Sequence, residues 1–115
     1  MKRLALIGST GSIGKQVLQV IREIPDAFVI ETLAAYGRNR ESLISQIREF
    51  SPRVVAVRDE TTYKELRKLF PHIEILSGEE GLIAVATAAS VDMTIVASSG
   101  IDALPAVMAS IQERK

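Results

Sequence analysis

The chain has 115 residues, 47% of them hydrophobic and 24% charged, with 14 basic and 14 acidic side chains. That length accommodates one domain with one core, and the cancelled charge gives no electrostatic ground for nucleic acid or an anionic membrane as partner. The absence of cysteine excludes disulfides and thiolate metal sites and fits a reducing compartment.

The start, MKRLALIGS, carries two basic residues and a short apolar run, as a signal peptide would. The run ends at once in a glycine loop without a cleavage-type segment, and no stretch approaches the roughly 18 apolar residues of a membrane span. A cytoplasmic location is expected. Leu4-Ala5-Leu6-Ile7 is an unbroken apolar run, as expected of a strand covered on both faces. The period then changes. Ile13, Val17, Val20, Ile21 and Ile24 fall on one helical face, and Pro25 ends the helix. FVIETLAA (28–35) reads as a second strand, GRNR as a turn, and 41–50 as a helix with Leu43, Ile44, Ile47 and Phe50 inward.

VVAV (54–57) is a third strand of mostly β-branched residues. DETTYKELRKLF is a third helix with Asp59 or Thr61 as its cap. IEIL (73–76) is a further strand, and Ser77-Gly78 opens an alanine-rich helix running to about residue 89. MTIVA is a fifth strand and Ser98-Ser99-Gly100 a loop; a last helix carries Ile101, Leu104, Val107, Met108 and Ile111. Strict alternation of buried-type strands with helices predicts an α/β fold, a Rossmann-like doubly wound parallel sheet in three α/β/α layers, over residues 1–115.

The first strand runs directly into GSTGSIG, with glycines at 8, 11 and 14. This G-x-x-G-x-x-G pattern is a relative of the dinucleotide fingerprint and meets the same demands. One glycine allows the tight reversal, absent side chains let a pyrophosphate approach the backbone, and Gly14 suits close packing of helix on strand. Gly11 is expected both to leave that space and to take a turn conformation that a branched residue resists. The N–H groups of Ser12 and Ile13 would face the phosphates with the help of the helix dipole, and Ser9, Thr10 and Ser12 would add hydroxyls. A glycine-rich turn that binds nothing is the plain alternative. The position of this one, between a strand and a helix in the first βα unit, is the context the binding motif requires.

NAD-binding domains carry an acidic residue at the end of the second strand, about 20 residues after the loop. Here that region reads LAAYGRNRE, with Arg38 and Arg40 flanking Asn39; Glu31 comes too early and Glu41 too late. A guanidinium there suits a 2′-phosphate, so NADP is favoured over NAD. His72 has no nearby partner for catalysis, and Asp59-Glu60 and Glu79-Glu80 read as helix-start charges. No catalytic residue and no metal-ligand cluster is evident.

LIGSTGSIG, YGRN, FSPRVVAVRDE, LSGEEGL and ASSGIDALPAVMASI, in that order, resemble the N-terminal part of the 1-deoxy-D-xylulose 5-phosphate reductoisomerase family across essentially the whole chain. The resemblance implies that Thr10, Gly11, Ser12 and Ile13 hold the NADPH pyrophosphate and that Gly37, Arg38 and Asn39 surround the 2′-phosphate. It implies an NADPH-dependent conversion of 1-deoxy-D-xylulose 5-phosphate to 2-C-methyl-D-erythritol 4-phosphate in non-mevalonate isoprenoid biosynthesis. The resemblance further implies a divalent metal, Mg or Mn, and a homodimer for the full-length enzyme. The family's metal carboxylates, substrate-binding residues and lid fall beyond residue 115, so this chain is expected to be the cofactor domain and inactive alone. Another NADP-dependent reductase is less compatible with the motif series. A redox-sensing regulator would need a DNA-binding element or basic face, and a non-binding domain would fail to titrate with NADPH.

Overall fold

Apolar runs alternate with amphipathic segments, and each run becomes a strand while each segment becomes a helix laid back on the sheet. The computed structural model describes residues 1–97. Its elements are β1 Lys2–Ile7, α1 Ser12–Glu23, β2 Phe28–Ala35, α2 Arg40–Phe50, β3 Val54–Val57, α3 Glu60–Leu69, β4 Glu74–Ser77, α4 Gly78–Thr87 and β5 Met93–Val96. The Ser98-Ser99-Gly100 loop and the helix expected after it lie outside the described residues.

The five strands form one sheet in the order β4-β3-β2-β1-β5, and every neighbouring pair is parallel. Ile7 stands opposite Ala34 on one side and Val96 on the other, while Ala34 stands opposite Ala56. The carboxyl ends of β1, β2, β3 and β5 are therefore level, and the turns that follow β1 and β2 emerge at one end of the sheet. The chain steps from β1 to β4 in one direction and then crosses back to place β5 on the far side of β1. Sheets of this kind hold ligands at such a reversal, outside the carboxyl ends.

The two faces are built differently. Leu18 and Ile21 of α1, Leu43 and Ile47 of α2 and Leu66 of α3 pack with Leu4, Leu6, Ile30, Leu33, Val55, Val57 and Ile75. Burying one such side chain stabilises the fold by about 1.5–3 kcal/mol. On the opposite face α4 brings Leu82, Val85 and Ala86 against Ala5, Ile7, Ala34 and Ala56, a small-residue surface that admits a close helix. Thr32 is buried on β2 and donates through Oγ1 to Val85 O at 2.9 Å. The register of β2 slips by one residue at Glu31, between the pairs Leu4–Ile30 and Ala5–Thr32. This bulge explains why Ile30 and Leu33, three apart, share a face.

One sequence expectation fails here. Ile13, Val20 and Ile24 are exposed by 55%, 53% and 42%, so they do not form the inward face of α1. The buried positions are Gly14, Leu18 and Ile21. A Cβ at Gly14 would fall on Gly8 O and lie 2.8 Å from Ser9 Cα. Gly14 must therefore face the turn, which fixes the rotation of the helix and carries Leu18 and Ile21 inward at spacings of i+4 and i+7.

Candidate functional site

The turn after β1 uses its three glycines for three reasons. Gly8 has φ +86°, a left-handed conformation that other residues resist. Gly14 is required by packing. Gly11 is required by neither: it has an ordinary φ of −75° at the N-cap of α1, and among the described residues a Cβ there would meet only Gly8 O, at 3.6 Å. The expectation that Gly11 takes a conformation a branched residue resists is thus corrected. Its missing side chain keeps open a surface the fold itself would allow to be filled.

Gly8 and Ser9 donate their N–H groups to Ala34 O at 2.8 and 3.2 Å, and Gly11 N–H reaches Gly8 O at 3.3 Å. The first intrahelical bond of α1 runs from Lys15 N–H to Gly11 O at 2.9 Å. The N–H groups of Ser12 and Ile13 precede it and have no partner among the described residues. No side chain caps α1 and no acidic residue sits in its first turn. A helix start bare of both offers donors and a partial positive charge to an anion. Thr10 is half-buried, whereas Gly11, Ser12 and Ile13 are exposed. Ser9 has no exposed surface. Its hydroxyl therefore faces inward and, contrary to the expectation from the sequence, does not join those of Thr10 and Ser12.

The turn after β2 inverts this arrangement. Its backbone is tied down: Asp59 N–H donates to Tyr36 O at 2.8 Å, and Thr62 Oγ1 lies 2.9 Å from Gly37 O. Gly37 is buried at φ +101°, and a Cβ there would lie 2.5 Å from Val57 Cγ1, so this glycine answers to the fold. Asn39 is the N-cap of α2 and accepts from Ser42 N–H at 3.4 Å through Oδ1. Arg40 is engaged by Glu65 at 2.7 Å. That leaves Arg38, exposed and without an ion pair among the described residues, its guanidinium 4.2 Å from the centroid of the Tyr36 ring. Glu31 lies inside β2 and Glu41 in the first turn of α2, so neither stands at the strand's end; the carboxylate that reaches this turn is that of Asp59, from the start of α3.

The bonds from Thr62 N–H and Thr62 Oγ1, followed by the charge of Arg38, hold the Asp59 carboxyl below its ordinary range. Asp59 is the N-cap of α3, and Glu79 and Glu80 lie in the first turn of α4. His72 is exposed between α3 and β4. Among the described residues no group of three or more His, Cys, Asp or Glu could hold a metal ion, and no helix is long and apolar enough to cross a membrane.

Three contributors to this region were not visible in the sequence: Tyr36 beneath Arg38, Thr62 against Gly37 O, and Gln46. Gln46 is 5% exposed and donates from Nε2 to Ser9 O at 2.9 Å. Its one sequence signal is its place beside Ile47 and three residues after Leu43, a polar residue on an apolar stripe.

A parallel sheet with a glycine-rich strand-to-helix turn at its reversal point defines a Rossmann-like α/β domain of the dinucleotide-binding type. Within that class the chain belongs to the 1-deoxy-D-xylulose 5-phosphate reductoisomerase family, whose model matches residues 4–115. It is 82% identical over 115 residues to the 1-deoxy-D-xylulose 5-phosphate reductoisomerase of Chlamydia trachomatis serovar D, covering 100% of this chain and 30% of that relative. Identity to the Chlamydia pneumoniae enzyme is 43% with the same coverage. A crystal structure of DOX-P reductoisomerase in complex with NADPH, fosmidomycin and magnesium superposes with a TM-score of 0.93 at 31% identity, covering 100% of this chain and 29% of that one. The Zymomonas mobilis enzyme in complex with NADPH gives a TM-score of 0.88 at 26% identity, covering 99% of this chain and 30% of that one. The chain thus spans about 30% of the length of the curated relatives it matches.

Proposed function

We propose that the chain is the NADPH-binding domain of a 1-deoxy-D-xylulose 5-phosphate reductoisomerase, with residues 1–115 as that domain. One observation carries the reading. A bare backbone cradle and a guanidinium free of ion pairs among the described residues leave the same end of two adjacent parallel strands. NADPH has a pyrophosphate and a 2′-phosphate, and the two turns offer one device for each.

Thr10, Gly11, Ser12 and Ile13 receive the pyrophosphate: the N–H groups of Ser12 and Ile13 donate, the hydroxyls of Thr10 and Ser12 add donors, and Gly11 keeps the approach clear. Gly37, Arg38 and Asn39 surround the 2′-phosphate. Arg38 supplies the charge, while Gly37 and Asn39 set the turn that presents it. The bound cofactor would supply the hydride. Residues of the turns after β1 and β2 would hold it at the carboxyl ends of those strands.

The whole enzyme of this reading converts 1-deoxy-D-xylulose 5-phosphate to 2-C-methyl-D-erythritol 4-phosphate as a cytoplasmic homodimer with Mg or Mn. The metal finds no ligand set among the described residues.

Calorimetric titration of the chain with NADPH and with NADH tests the proposal. NADPH should bind more tightly by about 1.5–3 kcal/mol, the usual contribution of hydrogen bonds to a charged group. Absence of binding, or equal affinity for the two cofactors, would overturn it.

A further inference from the structure

We infer that Gln46 is a positioning residue for the cofactor, acting through the carbonyl of Ser9 to keep the donors of the glycine turn uncommitted. The inference rests on the proposed NADPH site and concerns a residue that touches no part of it directly. Gln46 lies on α2, on the buried stripe of Leu43 and Ile47. Its Nε2 donates to Ser9 O at 2.9 Å across 37 residues of sequence. No backbone N–H among the described residues donates to Ser9 O.

In a helix begun two residues earlier, Ser9 O would accept from Ile13 N–H at i+4, or from Ser12 N–H at i+3 in a tight first turn. Those are the two donors left free for a phosphate. A fully buried carbonyl needs a partner, and the nearest candidates along the chain are these two N–H groups. By taking Ser9 O from the side, the Gln46 amide removes the local acceptor that competes with the ligand.

Holding this amide in the core is unfavourable in itself. Gln46 Oε1 and Ser9 Oγ are both buried without a hydrogen-bond partner among the described residues. An apolar side chain at this position would avoid the first of these. A merely structural role would be filled better by leucine or methionine. What those residues cannot supply is the donor. Gln46 also lies less than two helical turns beyond Asn39, the cap of α2. It thereby ties the helix that follows the Arg38 turn to the glycine turn.

The test compares three ligands on the unaltered chain and on Gln46→Met: NADPH, NADH, and adenosine 2′-monophosphate, which has the 2′-phosphate and lacks the pyrophosphate. In Gln46→Met the dissociation constants of NADPH and NADH should rise by the same factor, about threefold to tenfold, the equivalent of one net neutral hydrogen bond. That of adenosine 2′-monophosphate should stay put. In the free variant, amide exchange at Ser12 and Ile13 should slow, because their N–H groups acquire Ser9 O. Unchanged affinities in a folded variant, a loss confined to NADPH, an equal loss for all three ligands, or faster exchange through the whole turn would each overturn the inference. If Gln46→Met does not fold, Gln46→Leu removes the amide donor without adding a charge or a carboxyl O–H, and the same outcomes apply. Failure of the unaltered chain to bind either dinucleotide would instead bring down the proposed function, and this inference with it.

Discussion

The turn after β1 and the turn after β2 leave neighbouring strands at the same level, yet they present opposite parts of the polypeptide. The first offers backbone. Its side chains are absent at Gly11 or turned inward at Ser9, and its N–H groups at Ser12 and Ile13 are unclaimed among the described residues. The second offers a side chain. Its carbonyls at Tyr36 and Gly37 are pinned from the start of α3, and Arg38 projects above the Tyr36 ring. Backbone donors recognise any phosphate that fits between them, whereas a single guanidinium reads whether one particular phosphate is there. Affinity for dinucleotides in general should therefore belong to the first turn, and the choice between NADPH and NADH to the second.

The sharpest way to break this division is Gly11→Val. The conformation at Gly11 is ordinary and space exists for a Cβ, so the variant should fold with a near-normal melting temperature. The branched side chain should occupy the pyrophosphate approach and weaken both cofactors by up to about a hundredfold, by analogy with the roughly 1–3 kcal/mol cost of overpacking. Calorimetry on the folded variant decides the matter; a loss for NADPH alone would mean that the first turn also reads the 2′-phosphate.

Arg38→Glu probes the other half. NADPH should weaken by about 1.5–3 kcal/mol with added repulsion, and NADH should be nearly unaffected. An equal loss for both cofactors would show that Arg38 contributes general attraction and does not discriminate. The smallest effect belongs to Tyr36→Ala, which removes the ring beneath the guanidinium. An exposed cation–π contact contributes about 0.5–1 kcal/mol, so NADPH affinity should fall a few-fold while NADH stays constant. Tyr36→Phe, which keeps the ring face, should restore NADPH affinity; if it behaves like Tyr36→Ala, the hydroxyl and not the ring positions Arg38.

Much of this was legible in the residues. The limits of β2 follow from its apolar run, and the cap of α3 was narrowed to Asp59 or Thr61, of which the structure uses Asp59. The alternation of elements gave the parallel sheet, because strands joined by helices must return to the same end. The absence of an acidic residue between Glu31 and Glu41 was legible too, whereas the approach of Asp59 to the Arg38 turn was not.

Tertiary structure decided what periodicity leaves degenerate. Helix α1 carries two adjacent apolar stripes, one through Ile13, Val17, Val20 and Ile24 and one through Val17, Leu18 and Ile21. Either could face a core. The choice is made by the contact of Gly14 with Gly8 and Ser9, residues whose turn brings them back onto the helix. In the same way GSTGSIG looks like three equivalent glycines until φ angles and neighbouring atoms show one needed for the turn, one for packing and one for neither. Arg38 and Arg40 are alike as text; only the position of Glu65 on α3 takes Arg40 and leaves Arg38 free of an ion pair. Local pattern is set by propensity and period, which act within a few residues. Burial, pairing and the availability of a donor depend on atoms brought close from distant parts of the chain, as Gln46 is to Ser9.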